Sequence, residues 1–190
     1  MKTAAVAFVL ILGASAILVA QTKKFVKIST VAASGTVSES RYTNSFFNLT
    51  IDAPGATLKL SPIVNAAGQR ARLLQAVVKA PTWDDTYTFA VLAESLAKHP
   101  DLQSSAQYLQ SVRQELEKEG HATVREEFPL TIAGVSFTGV ILREQVPSGK
   151  DHYRGLYATF RDGYILSFDA EASSEAKLNE LVGRVVKFVN

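Results

Sequence analysis

After Gly120 the hydrophobic residues follow a two-residue period, and this pattern restricts the fold more than any other feature of the sequence. Apolar and polar side chains alternate along a β-strand because successive side chains point to opposite faces of the sheet. Two turn sequences, Ala133-Gly134 and Asp162-Gly163, divide the region, and each supplies a glycine that tolerates the positive φ of a tight hairpin. The pattern therefore predicts four strands, over residues 124–132, 135–146, 152–160 and 164–170.

The region before Gly120 predicts three more strands. Apolar residues alternate with polar ones over residues 41–52, which is typical of a half-buried strand. Residues 70–79 contain a nearly continuous apolar run that Pro81 ends, as expected for a central strand, and residues 85–93 form the next one.

Two helices complete the predicted elements. Apolar residues recur every three or four positions from Leu102 to Leu116, and Ser104 and Gln107 have the spacing of a capping box. A last helix begins at Ser173 or Ser174. Its predicted inward residues are Leu178, Leu181, Val182, Val185 and Val189. The predicted fold class is α+β, a single mainly antiparallel β-sheet with helices packed on it.

The N-terminus carries a leader. Residues 4–20 are hydrophobic except Gly13 and Ser15, and Met1 and Lys2 precede them, which is typical of a secretory signal peptide. An uncleaved anchor is the alternative, because a helix of this length spans about 26 Å, the short limit for a bilayer core. We therefore predict a signal peptide or anchor over 1–20, a spacer over 21–34 and one domain over 35–190. The expected location is secreted or periplasmic, with membrane contact only through residues 4–20 if they are retained.

Composition and motifs exclude several classes of function. A formal charge of +2 lacks the basic excess of nucleic-acid-binding proteins, and the absence of cysteine excludes disulfides and thiolate sites. His99, His121 and His152 lack the spacing of a metal-binding pair, and no phosphate-binding glycine loop occurs. We expect no catalytic constellation, no metal site and no cofactor.

The best candidate binding surface lies on two loops, because function concentrates on loops held by rigid elements. Trp83, Asp84 and Asp85 place the chain's one tryptophan beside paired carboxylates after Pro81. The competing structural interpretation is a strand connection whose tryptophan covers the core edge. The neighbouring loop at the start of the first helix adds two further candidates, His99 and Asp101.

One segment resembles a known family. Residues 41–51 read RYTNSFFNLTI and are followed by Pro54, which is similar to the Y-x-N-x-x-F-x-[FL]-x-[FIY]…P opening of PsbP-like domains. Further similar segments are residues 106–109, 132–137, 157–160, 163–164 and Phe188. Asn48 stands where the family usually has glycine, and the frequent tryptophan after the first proline is missing. The resemblance covers residues 35–190 and implies an α/β/α sandwich in an exported, non-catalytic protein that acts by binding.

Three functions follow as expectations. The first is an exported, non-catalytic accessory domain that binds a protein partner or small ligand in the cell envelope. The second is a hydrolase with a Ser/His/Asp or metal site assembled from distant residues, which requires a histidine within about 3.2 Å of a serine or carboxylate in a shared cleft. The third is a structural accessory protein tethered by residues 4–20.

Overall fold

The computed structural model describes residues 35–60, 63–64, 70–78, 86–145 and 151–189. The strands in chain order are β1 (Gly35–Ser38), β2 (Arg41–Asn44), β3 (Leu49–Asp52), β4 (Thr57–Lys59), β5 (Ile63–Val64), β6 (Arg70–Val78), β7 (Tyr87–Ser95), β8 (Ala122–Ile132), β9 (Val135–Gln145), β10 (Asp151–Arg161), β11 (Tyr164–Ala172) and β12 (Val186–Phe188). The α-helices are α1 (Ser105–Lys118) and α2 (Glu175–Val185), and a short 3₁₀ helix (Leu96–Lys98) precedes α1.

The larger sheet confirms the predicted antiparallel strands. Its order is β4-β6-β7-β11-β10-β9-β8, and β5 pairs with β6. Every pairing in it is antiparallel. Ala133 and Gly134 have φ of 46° and 84°, and Asp162 and Gly163 have φ of 52° and 81°. Two successive positive φ angles match the twist of a two-residue hairpin, so these turns fix the register of the four C-terminal strands.

The two helices pack on opposite faces of this sheet, which confirms the α/β/α sandwich that the resemblance implies. Helix α1 contacts β8, β9 and β10, whereas α2 contacts β10, β11 and β3. Ser104 caps α1 by accepting a hydrogen bond from the Gln107 amide at 3.3 Å, which confirms the predicted start. Gly120 follows α1 with a φ of +100°, a conformation that favours glycine.

A second sheet, of order β1-β2-β3-β12, corrects the prediction of a single sheet. The predicted strand over residues 41–52 is a hairpin of β2 and β3, because the side chain of buried Asn44 accepts a hydrogen bond from the Phe47 amide at 3.2 Å and closes a turn. Asn48 completes that turn with a φ of 50°, a left-handed conformation that glycine and asparagine tolerate best.

The end of the chain also differs from the prediction. Val189 is predicted to face the core with the rest of the last helix, but it is 62% exposed. The helix ends at Val185 and the chain continues into β12, which pairs with β3 and closes the smaller sheet.

Two apolar clusters hold these layers together. The larger one lies between the large sheet, α2 and the smaller sheet, and Phe168 lies within it, with its ring 5.2 Å from that of Phe137 and 5.5 Å from that of Phe89. The smaller one lies under α1 and includes Leu109 and Ile165. Ile165 and Leu166 are adjacent in β11 but belong to different clusters, which confirms that alternate residues of this strand face opposite sides of the sheet.

Candidate functional site

The sequence-predicted candidates fall into two groups. Trp83, Asp84 and Asp85 lie outside the residues that the structure describes. They precede β7, whereas His99 and Asp101 follow it, so the two candidate segments join this strand at opposite ends, about 26 Å apart. Asp101 is exposed. His99 has a side-chain hydrogen-bond partner among the described residues.

His99 pairs with a carboxylate that sequence analysis missed. Its Nε2 lies 2.7 Å from Oε1 of Glu94, which is 8% exposed near the end of β7. The Tyr108 hydroxyl donates to Oε2 of Glu94 at 3.4 Å, so the carboxylate joins β7, the loop after the 3₁₀ helix and α1. The predicted strand stopped at residue 93, one residue before this carboxylate, although Glu94 continues the alternation of the strand toward the α1 face.

A second polar feature lies on the same face of the large sheet, beside α1 and mainly on strands that this helix does not contact. It is a cavity of about 140 Å³, which we call the polar groove. The polar side chains that line it are Arg72, Gln75, Thr88, Arg154, Asp169 and Glu171. They come from β6, β7, β11 and β10, which are adjacent strands of the sheet.

Strand register builds the groove. Ala90 pairs with Gln75 on one side and with Asp169 on the other, so a methyl group lies in the middle of a polar row. In the parallel row, Glu171 pairs with both Thr88 and Arg154. Long side chains therefore surround a short one, and this difference in length leaves the cavity open.

An ion pair forms one wall of the groove. Arg154 donates from Nε and Nη2 to the two carboxylate oxygens of Asp169 at 2.9 and 2.7 Å, the bidentate geometry that fixes both groups. Asp169, joined by Glu171 and Glu119, raises the pKa of Arg154, so this guanidinium stays charged. The two side chains are 27% and 17% exposed, so solvent screens them less than a surface pair.

The remaining charges of the groove are partnered by neutral groups. The Thr88 hydroxyl donates to Glu171 at 2.7 Å, and Arg72 Nη1 donates to the Gln75 amide oxygen at 3.3 Å. The Nε of Arg72 is buried and has no hydrogen-bond partner among the described residues. A buried donor without an acceptor is costly, so the hydrogen-bonding capacity of Arg72 is not satisfied within the described residues.

Other polar features are less suited to hold a ligand. A larger depression of about 420 Å³ beyond α1 is lined by Gly120, Ala122, Arg143 and Asp151. Its Arg143–Asp151 pair is 3.6 Å apart and both side chains are largely exposed, so water screens their charge. The described ranges contain no group of three or more histidine and acidic side chains placed to hold a metal ion. Within the same ranges, no helix is long and apolar enough to cross a membrane.

Sequence analysis missed the polar groove because its residues lie on four strands spread over a hundred positions. Asp169 and Glu171 alternate with core residues of β11, so the polar face of this strand is visible in the sequence. An apolar face at these positions would have required a second helix to cover it. The order of the strands decides which polar faces become neighbours, and that order is a tertiary property.

Comparison with solved structures identifies the architecture. The solution structure of cyanobacterial PsbP (CyanoP) from Synechocystis sp. PCC 6803 matches with a TM-score of 0.53 and 12% identity, over 82% of this chain and 96% of that one. LpqN, involved in cell envelope biogenesis of Mycobacterium tuberculosis, matches with a TM-score of 0.43 and 15% identity, over 72% of this chain and 86% of that one. A crystal structure from Bacteroides thetaiotaomicron VPI-5482 matches with a TM-score of 0.42 and 12% identity, over 75% of this chain and 45% of that one.

The sequence itself matches no protein-family model and no curated protein. At 12% identity the likeness to cyanobacterial PsbP concerns the fold, and it confirms the resemblance drawn from residues 41–51 at that level.

Proposed function

We propose that this chain, which has the PsbP-like fold, is an exported, non-catalytic accessory protein that binds a small polar ligand in the polar groove. The observation that carries the proposal is the convergence of charged and polar side chains from four adjacent strands on one cavity. Side chains on paired strands are held more rigidly than side chains on loops, and such preorganisation favours binding.

The size of the groove favours a small ligand over a protein partner. A stable protein interface buries roughly 800 Å² on each side, whereas a cavity of about 140 Å³ accommodates one compact polar group. It is also smaller than the roughly 300–1,000 Å³ of pockets for drug-sized ligands. The ligand is therefore of the size of an amino acid or a monosaccharide.

Ligand binding is tested by what copurifies with the full chain. Small molecules released from the purified protein are identified by mass spectrometry for the wild type, Arg154→Gln and Arg143→Gln. Arg143 is the matched control, because its ion pair lies outside the groove. We expect one compound with the wild type and the control, and at least tenfold less with Arg154→Gln.

A milder variant keeps this experiment interpretable. Circular dichroism shows whether Arg154→Gln folds, and Thr88→Val alters the groove by removing only the hydroxyl that donates to Glu171. If no compound copurifies, or equal amounts copurify with all variants, the groove is not a ligand site.

Export is supported by the hydrophobic leader over residues 4–20. Fractionation of cells that express the full chain, followed by intact-mass measurement, tests it. We expect a shortened chain in the exported fraction. Retention of residues 1–20 in the membrane fraction favours the tethered accessory protein, and an intact chain in the cytoplasm contradicts export.

The Glu94–His99 pair supports a second candidate, a hydrolase. Its distance of 2.7 Å meets the requirement for a histidine beside a carboxylate. A triad also needs a nucleophile on the other ring nitrogen, and among the described residues His99 makes its one side-chain hydrogen bond to Glu94. Ester hydrolysis is therefore measured for the wild type and His99→Ala. We expect equal rates, and a loss of a hundredfold or more with His99→Ala would favour the hydrolase.

A further inference from the structure

The charges of the polar groove are arranged as a dipole. Arg154 and Asp169 neutralise each other through two hydrogen bonds. Arg72 and Glu171 are the other charged residues of the lining, and their side-chain partners are the neutral groups of Gln75 and Thr88. The groove therefore has no net charge. Neither Arg72 nor Glu171 forms an ion pair among the described residues, so a cation lies on one side of the groove and an anion, on the strand beside Arg154, lies on the other.

The register of the strands separates these two charges. Arg72 pairs with Leu92 of β7, and Glu171 pairs with Thr88 of the same strand. This places their Cα atoms four residues apart along the strands and two strands apart across them, about 16 Å in all. Both residues line one cavity.

The environment of each charge selects a complementary group. Arg72 has no ion-pair partner among the described residues, and a carboxylate would supply acceptors and charge together at its guanidinium. Glu171 retains acceptor capacity beyond the Thr88 hydroxyl, and an ammonium group supplies donors and charge. A ligand with only a negative charge would be repelled by Asp169 and Glu171, and a ligand with only a positive charge would be repelled by the two arginines. Each of these ligands is therefore disfavoured.

We propose that the polar groove binds a zwitterion of amino-acid size, with its carboxylate at Arg72 and its ammonium group at Glu171. This inference rests on the proposed function, because it names the ligand class of the same groove. It also predicts that selectivity comes from charge separation within the ligand rather than from its hydrocarbon part.

The test uses matched probes and isothermal titration of the full chain. The probes are β-alanine as the zwitterion, propionate as the anion, propylamine as the cation and glycerol as the neutral polyol. L-alanine and alanyl-alanine vary the distance between the two charges. We expect at least one zwitterion to bind at least tenfold more tightly than propionate, propylamine and glycerol.

Two variants assign the ends of the ligand. Arg72→Gln should remove the preference for the zwitterion over propylamine, and Glu171→Gln should remove the preference over propionate. Arg143→Gln should leave binding unchanged. Loss of one preference in each groove variant supports the proposed orientation, because a general loss of structure would weaken all probes together.

Other results overturn the inference in recognisable ways. Equal binding of glycerol and β-alanine, or zwitterion binding that neither variant changes, shows that the ligand class is wrong. If no probe binds while a compound copurifies in a manner that depends on Arg154, the zwitterion is refuted and the proposed function stands. If no probe binds and no compound copurifies, both fail.

Discussion

Two fully buried tyrosines differ in whether their hydroxyl groups are hydrogen-bonded. Tyr42 and Tyr157 are both 0% exposed. The Tyr42 hydroxyl accepts a hydrogen bond from Asn44 Nδ2 at 3.0 Å, whereas the Tyr157 hydroxyl has no partner among the described residues. The same change, tyrosine to phenylalanine, should therefore have opposite effects at the two positions.

The expected magnitudes follow from the hydrogen-bond inventory. Burial of a hydroxyl without a partner costs about 1–3 kcal/mol, so Tyr157→Phe should raise the free energy of unfolding by about 1–2 kcal/mol. Tyr42→Phe removes a hydrogen bond and should lower it by about 1 kcal/mol. For a domain of this size, each kcal/mol moves Tm by roughly 2–4 °C.

Urea denaturation followed by circular dichroism measures both variants at pH 7. If Tyr157→Phe destabilises the protein as much as Tyr42→Phe does, the Tyr157 hydroxyl has a hydrogen-bond partner such as a buried water, and the reasoning is refuted. Equal m-values for both variants and the wild type would show that the substitutions leave the surface exposed on unfolding unchanged, so that the difference in stability arises in the folded state.

The same tyrosine should affect stability in alkali. Burial, together with the negative charge of Glu175, raises the pKa of Tyr157 above its ordinary value of 10.0. The unfolded chain therefore ionises first, and stability that is present below pH 10 is lost as the pH rises above it. Tyr157→Phe should remove that part of the loss, about 1.4 kcal/mol for each pH unit above 10. Denaturation curves at pH 9, 10 and 11 test this, and a difference between variant and wild type that is independent of pH would contradict it.

Three further changes test the turns and helices, each by thermal unfolding. Gly183→Ala should stabilise the protein by about 1 kcal/mol, because Gly183 is an exposed helical residue with open space where a side chain would lie. Gly163→Ala should destabilise the protein by about 1 kcal/mol, because Gly163 has a φ of +81°. Equal effects of the two substitutions would refute this. Asn44→Ala should cost about 2 kcal/mol or more, because the Phe47 amide loses its acceptor inside the core, and a neutral result would mean that the hairpin turn closes without that side chain. Ser104→Ala should cost about 1 kcal/mol through loss of the α1 cap, and a change below a few tenths would show that the cap is dispensable.

Local patterns predicted the six longest strands, β6 to β11, and both helices, because their signals lie within a few residues. The Asp162-Gly163 turn adopts the two positive φ angles that its residue types favour, and Ser104 caps α1 as its spacing with Gln107 indicates. The hairpin of β2 and β3 was missed for a physical reason. Its turn depends on a hydrogen bond from the Phe47 amide to the Asn44 side chain, and the alternation of apolar residues continues through it as through one strand.

The partners of polar residues could not be predicted in the same way. Glu94 and His99 are five residues apart, but their contact depends on a 3₁₀ helix that turns the chain back at the end of β7. The polar groove depends on even more distant relations, since Arg72 and Arg154 line one cavity only through the order of β6, β7, β11 and β10. Trp83, Asp84 and Asp85 lie outside the described residues, and their proposed role in binding stays a prediction.

The dimensions of the elements explain why this fold has a polar face available for a ligand. An α-helix is about 10–12 Å wide with its side chains, and neighbouring strands are about 4.8 Å apart, so one helix covers about three strands. Helix α1 packs on β8, β9 and β10, while the sheet continues through β11, β7 and β6. Polar residues on those strands are what a sheet face without a helix requires, and most such residues would be separately solvated. The groove departs from that default in two respects, a partly buried bidentate pair at Arg154 and a buried donor without an acceptor at Arg72. These two features, rather than polarity alone, distinguish a binding site from an ordinary wet surface, and they are the groups on which the proposed experiments act.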